Sequence, residues 1–211
     1  MPDSPGAIES YQEGTPAPSP VGRIPARLVV AAGRGDQAAF EELYKRTHRA
    51  VYSAVRTMVR SEEDALELTQ DTYLDAWRSL PSLRSPAAFR TWLFRIAANK
   101  ARDHRKRRLL SIDSLEERQE GGNGGEPVDP REGPPEVLVA GERRRRVQEA
   151  MEGLTEEHRA VISLFYGAGL GVTEVAGALG VPRGTVLSRL ARARDALRKR
   201  LLPYLEDRDE V

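Results

Sequence analysis

The sequence predicts an all-α chain of two small helical domains joined by a flexible acidic linker, the C-terminal one a helix-turn-helix. Three observations predict it. Apolar residues recur at helical spacing along the chain, and no segment alternates as a strand would. Basic charge is gathered in two blocks: Arg84 to Arg108 holds nine Lys/Arg against Asp103, and Val181 to Arg200 holds seven against Asp195. Between them, residues 111–135 are rich in Gly and Pro and carry seven acids against two arginines, the composition of a linker. The net charge of +1 hides this segregation. Two basic blocks around an acidic stretch point to a polyanion held at two places.

The elements follow in order. Residues 1–25 are proline-rich and read as a disordered tail. Helical periodicity starts near Ala26, and the first domain takes 26–110. Asp36 caps a helix that turns Phe40, Leu43, Tyr44, Val51, Val55 and Val59 to one side. Ser61 caps the next, with Glu62, Glu63 and Asp64 in its first turn, where the helix dipole favours acids. That helix carries Ala65, Leu68, Tyr73, Ala76, Trp77 and Leu80, and ends before Pro81. After a short loop, a long helix from about Ala87 to Arg108 turns Phe89, Leu93, Ile96 and Ala97 inward. The second domain, 136–205, is read as helices at about Glu136–Glu152, Thr155–Tyr166, Thr173–Leu179 and Pro182–Leu201.

The last two helices flank a tight turn at Gly180-Val181-Pro182. Val175, Ala176 and Leu179 make one apolar face, and Val186, Leu190, Ala193 and Leu197 another. Arg183, Thr185, Ser188, Arg189 and Arg192 lie opposite. A second helix so equipped enters a DNA major groove N-terminus first. Its arginines can pair with guanine, and Thr and Ser can reach base edges or phosphates. In the first domain, aromatic and basic residues interleave: Phe89, Trp92 and Phe94 with Arg90 and Arg95, then Asn99, Lys100, Arg102 and Arg105. Rings beside a cationic track suit single-stranded DNA, whose bases stack while arginines hold phosphates. Phe89 fits both a base-stacking role and a core position. On the preceding helix Glu67, Gln70, Asp71 and Asp75 form an acidic polar stripe that will not face DNA. By residue type alone it reads as solvated surface.

Several classes are excluded. With no cysteine there are no disulfides and no thiolate metal sites. His48, His104 and His158 lack ligand spacing, so neither metal nor cofactor is expected. Asp103 and His104 are helix neighbours whose side chains diverge, and no catalytic set is found. No apolar run approaches the ~18 residues of a membrane span, and no signal pattern opens the chain, so a cytoplasmic protein is expected.

Residues from about Asp36 to Arg108 and from Val147 to Leu201 resemble a group IV, or extracytoplasmic-function, sigma factor of the sigma-70 family. The segment from Asp64 to Trp77 (DALELTQDTYLDAW) looks like the helix that docks on RNA polymerase. The segment from Phe89 to Arg108 (FRTWLFRIAANKARDHRKRR) looks like the promoter-melting and −10-reading element. Leu154–Ile162, Thr173–Ala176 and Gly184–Arg194 resemble the region that reads the −35 element. The resemblance implies a non-catalytic promoter-specificity subunit whose partners are core RNA polymerase and promoter DNA, and it allows an anti-sigma factor. It makes Glu67, Gln70 and Asp71 polymerase contacts. It makes Phe89, Trp92, Arg95, Asn99, Arg102 and Arg105 contacts to melted −10 DNA. Arg183, Thr185, Ser188, Arg189 and Arg192 become contacts to −35 duplex. A free-standing helix-turn-helix regulator is the alternative, but it leaves the first domain without a purpose. The linker could extend about 80–90 Å, more than a promoter spacer of about 55–60 Å requires. Relaxed, it spans only about 25–30 Å, which permits a compact free chain.

Overall fold

The structure, a computed structural model, describes residues 21–59, 61–113 and 145–206. The expected tail (1–20 of it), most of the linker and the start of the expected 136–152 helix lie outside the described residues. The described residues form helices and no strand, as the all-α expectation requires.

In the first domain, α1 is Ala26–Gly33, α2 Gln37–Met58, α3 Glu62–Ser79 and α4 Phe89–Asp113. The caps fall where local chemistry places them. The Asp36 carboxylate accepts from the Ala39 amide at 3.0 Å, and Ser61 Oγ accepts from the Asp64 amide at 3.3 Å. Each satisfies a backbone donor that the first helical turn leaves unpaired. Gly35 makes the turn between α1 and α2 at φ +92°, a conformation that L side chains rarely adopt. Leu80–Ser82 and Pro86–Ala88 are single 3-10 turns, and the second feeds directly into α4. Helices α2, α3 and α4 pack on one another, burying Leu43, Val51, Val55, Leu68, Leu93 and Phe94 almost completely. Such burial stabilises by about 1.5–3 kcal/mol per large apolar side chain.

One polar pair sits inside this bundle. Tyr73 and Thr47 are hydrogen-bonded through their hydroxyls at 2.7 Å, and Thr47 Oγ1 donates to the Leu43 carbonyl at 2.7 Å. Tyr73 therefore donates to Thr47. Burial pushes the Tyr73 phenol well above its ordinary range, so it stays a neutral donor. Tyr73→Phe removes one donor and leaves the Thr47 hydroxyl satisfied by Leu43. The expected loss is about 1 kcal/mol in urea unfolding, with helicity retained.

In the second domain, α5 covers residues 145–152, α6 is Glu156–Ile162, α7 Val172–Leu179 and α8 Arg183–Glu206. Thr155 caps α6 by accepting from the His158 amide. The sequence predicts one helix over Thr155–Tyr166, but α-helical geometry stops at Ile162 and Ser163–Gly167 winds as a π turn. The wider turn closes with an Ala168 amide to Ser163 carbonyl bond at 2.9 Å and leaves Ser163 buried. The expected break between α7 and α8 is present. Gly180 takes φ +68°, its amide returns to the Ala176 carbonyl, and Pro182 follows. Val186, Leu190 and Ala193 are buried as their spacing predicts. Arg146 sits over the Tyr204 ring at 4.5 Å, and Arg145 pairs with Glu149.

One feature differs from the sequence reading, and a second falls within the compact arrangement that the relaxed linker length permits. Helix α4 continues to Asp113, past the expected domain limit at 110. The two domains are also docked: α4 runs along α7, and α2 meets α6 and the π turn. Their buried apolar residues join in one continuous cluster. Helical periodicity reports which face of a helix is apolar, but not which partner covers it.

Candidate nucleic-acid interface

On α8, the buried row Val186, Leu190 and Ala193 turns the opposite face outward. Arg183, Ser188 and Arg192 are exposed, and Thr185 is half-buried. Ser188 Oγ donates to the Thr185 carbonyl at 3.1 Å, which leaves its lone pairs outward. Arg189 is half-buried and turned toward α6. There the Glu157 carboxyl is held below its usual range by its own backbone amide, with the Arg189 charge acting in the same sense. Leu187, which sequence reasoning passed over, is exposed on α8 between Arg183 and Ala191. Only its place on the polar side of the helix could have marked it.

On α4, the inward row Phe89, Leu93, Phe94, Ala97 and Ala101 is buried. The expectation that Phe89 contacts DNA is corrected. Phe89 is 1% exposed and packs against Trp92 with ring centroids 6.0 Å apart, so no base can reach it in this packing. The aromatic signal was real, but its ring serves the core. Trp92 is half-buried, while Arg95, Asn99 and Arg102 are exposed. Their spacing of three or four residues aligns them along one side of the helix. Arg102 donates to Asn99 Oδ1 at 3.1 Å. Arg105 is ion-paired with Glu156.

Partners that sequence order conceals reduce the free charge of this basic helix. Lys100 bridges Asp75 at 2.7 Å and Asp71 at 3.5 Å. Asp64 lies 3.1 Å from both His104 Nε2 and Arg108. The α3 stripe therefore divides: Asp71 faces Lys100, while Glu67 and Gln70 are exposed. Leu66 and Leu74 are about half exposed. With Gln70 they occupy successive turns of one α3 face. Gln70 and Leu74 border an open groove of about 600 Å³ walled by Phe40, Tyr44, Tyr73 and Trp77. A wide apolar groove edged by polar groups is the makeup of a protein-docking face. The two leucines were missed because they break the polar pattern of the stripe.

Among the described residues, no cluster of His, Cys, Asp and Glu could hold a metal ion, and no helix is long and apolar enough to cross a membrane.

Residues 43–109 match the family Sigma-70 region 2, and residues 150–199 match Sigma-70, region 4. The RNA polymerase sigma-H factor of Pseudomonas aeruginosa is 32% identical over 184 residues, covering 86% of this chain and 95% of that protein. The chain belongs to the sigma-70 family, in its extracytoplasmic-function branch. The ECF RNA polymerase sigma-E factor of Escherichia coli K12 is 34% identical, covering 84% of the chain and 94% of that protein. Among solved structures, CnrH in complex with the cytosolic domain of CnrY superposes with a TM-score of 0.61 at 29% identity, covering 87% of this chain and 97% of that one. As a sigma factor, the chain directs RNA polymerase to promoters and binds core polymerase and promoter DNA. The region 2 match also gives the first domain the role that a free-standing helix-turn-helix regulator would leave empty.

Proposed function

We propose that this sigma factor divides promoter recognition among three helices. The α8 surface, with Arg183, Thr185, Ser188, Arg189 and Arg192, reads −35 duplex. The outer side of α4, with Trp92, Arg95, Asn99, Arg102 and Arg105, holds melted −10 DNA. The α3 face, with Glu67, Gln70 and Asp71 joined by Leu66 and Leu74, docks on core polymerase. The observation that carries this reading is the two-sidedness of α4: one helix buries Phe89, Leu93, Phe94 and Ala97 while presenting Arg95, Asn99 and Arg102 outward.

No catalysis is involved, and opening is driven by binding. Unstacking a base costs a few kcal/mol, and stacking on a protein ring returns about 1–3 kcal/mol. The protein acts in the cytoplasm, where polymerase and DNA are. A cytosolic anti-sigma factor is a further partner of this reading, supported by the related CnrH, which was solved with the cytosolic domain of CnrY.

The test is selection. Bacterial core polymerase and the purified chain are offered a promoter library randomised at both elements. Enrichment of a two-part motif that depends on the chain supports the reading, and its absence overturns it. Arg192→Ala in the same assay relaxes one −35 position and costs about 1–3 kcal/mol. Unchanged −35 selectivity would remove Arg192 from the reading surface.

Docking is tested separately. Asp71 is tied to Lys100, so its charge reversal would disturb α4 as well. Gln70→Ala with Leu74→Asp avoids this. Loss of about 1–2 kcal/mol corresponds to holoenzyme formation weakened about 5–30-fold, with the circular dichroism melt unchanged. Equal competition for core polymerase would return this face to ordinary surface.

A further inference from the structure

The exposed side of the first half of α8 is a strip of small residues with one exception. Gly184, Leu187, Ser188 and Ala191 are all exposed. They lie at i, i+3, i+4 and i+7, so they share one side of the helix. Val186, Leu190 and Ala193 are buried on the other side, and the exposed Arg183 and Arg192 border the strip. At Gly184 nothing lies within 4 Å of where a Cβ would stand. Ala191 ends at its Cβ, and Ser188 Oγ turns back to the Thr185 carbonyl at 3.1 Å. Small residues of this kind let a helix backbone come close to a ligand. Leu187 breaks the pattern: its long apolar side chain is 47% exposed and rises out of the strip. A single exposed leucine is ordinary on a protein surface. This one stands on the face that a helix-turn-helix presents to the major groove, one turn after Arg183.

We infer that Leu187 is a specificity-determining residue of α8, which selects a thymine in the −35 duplex by contact with its C5-methyl group. The inference rests on the −35 role proposed for α8. On the base edges of the major groove the thymine methyl is the large apolar group, and the groups beside it are hydrogen-bond donors and acceptors. Leucine can bond to none of these. Against a guanine, adenine or cytosine edge it would take water from polar atoms and return no hydrogen bond, which costs free energy. Against thymine it buries one apolar group on another. Leu187 thus adds an apolar criterion to a surface otherwise made of Arg, Thr and Ser. It acts as much by rejecting the wrong bases as by attracting the right one.

Deoxyuridine isolates the methyl group, because it pairs as thymidine does and lacks only that group. Holoenzyme made from bacterial core polymerase and the full chain is first used to select the −35 motif. Each thymine of that motif, on either strand, is then replaced in turn by deoxyuridine, and closed-complex affinity is measured. With the parent chain, one replacement should weaken binding about three- to fivefold, the effect of burying a single methyl group. Leu187→Ala should bind the thymine and uracil forms of that site equally, while positions read by arginine keep their selectivity. Leu187 is exposed and alanine favours a helix, so thermal melting of the variant should be unchanged.

Three results would overturn the assignment. One is a selected −35 motif with no thymine on either strand. Another is uracil replacement that is harmless to the parent at every site, an outcome that needs no variant. The third is a Leu187→Ala chain that keeps the parent's methyl effect, which would give the contact to another side chain. Selection that yields no −35 motif at all overturns instead the reading of α8 on which the assignment rests.

Discussion

Phe89→Ala is expected to lower unfolding stability by about 3–5 kcal/mol, the cost of emptying a large aromatic site in a packed core. The ring is almost wholly buried at the start of α4, beside Leu93 and Phe94. Its loss removes packing that sets where α4 begins, so the effect falls on the fold and not on one DNA contact. Urea denaturation checks the size. Promoter selection by the remaining folded protein should keep its −35 motif. A stability change below about 1 kcal/mol, small for an aromatic truncation, together with lost promoter opening would restore Phe89 to the DNA surface.

Asn99→Ala combined with Arg102→Ala should slow open-complex formation by about one to two orders of magnitude, the sum of two polar contacts of about 0.5–1.5 kcal/mol each. Both side chains are exposed on α4 and already hydrogen-bonded to each other, which orients the Asn99 amide. Closed-complex binding largely survives, because α8 still grips the duplex. A pre-melted bubble template should recover part of the loss, because the unstacking cost is gone. Permanganate reactivity of unpaired thymines on duplex and bubble templates is the measurement. The assay must start from preformed holoenzyme, since losing the Arg102 bond to Leu179 also loosens the domain contact. Equal defects on both templates, or normal opening on duplex, would count against a melting role for this pair.

The two variants mark how far the residues could be read. Phe89 and Asn99 belong to one aromatic and basic segment, and both fitted a DNA-binding track. Helical phase puts Phe89 with Leu93 in the row read as inward and Asn99 with Arg95 in the other, but the interleaving of aromatic and basic residues left Phe89 open to both roles. The same ambiguity hid Leu66 and Leu74, apolar residues that the fold leaves outside. Asp71 looked like a free acid because its partner Lys100 lies 29 positions later in the chain.

The sequence by itself determined the helices, their caps, the α7–α8 turn and the family. Each depends on neighbours within one or two turns: Asp36 with Ala39, Ser61 with Asp64, Gly180 with Ala176. Such local terms act whatever the rest of the chain does. Only the tertiary structure decided which predicted DNA residues are displayed and which are engaged. Phe89 went to the core, Arg105 to Glu156, and Arg102 to the end of α7. These pairings join residues far apart in the chain, 77 positions in the case of Arg102 and Leu179. No periodicity encodes them, because they depend on which helix ends and apolar faces meet once the separate elements pack.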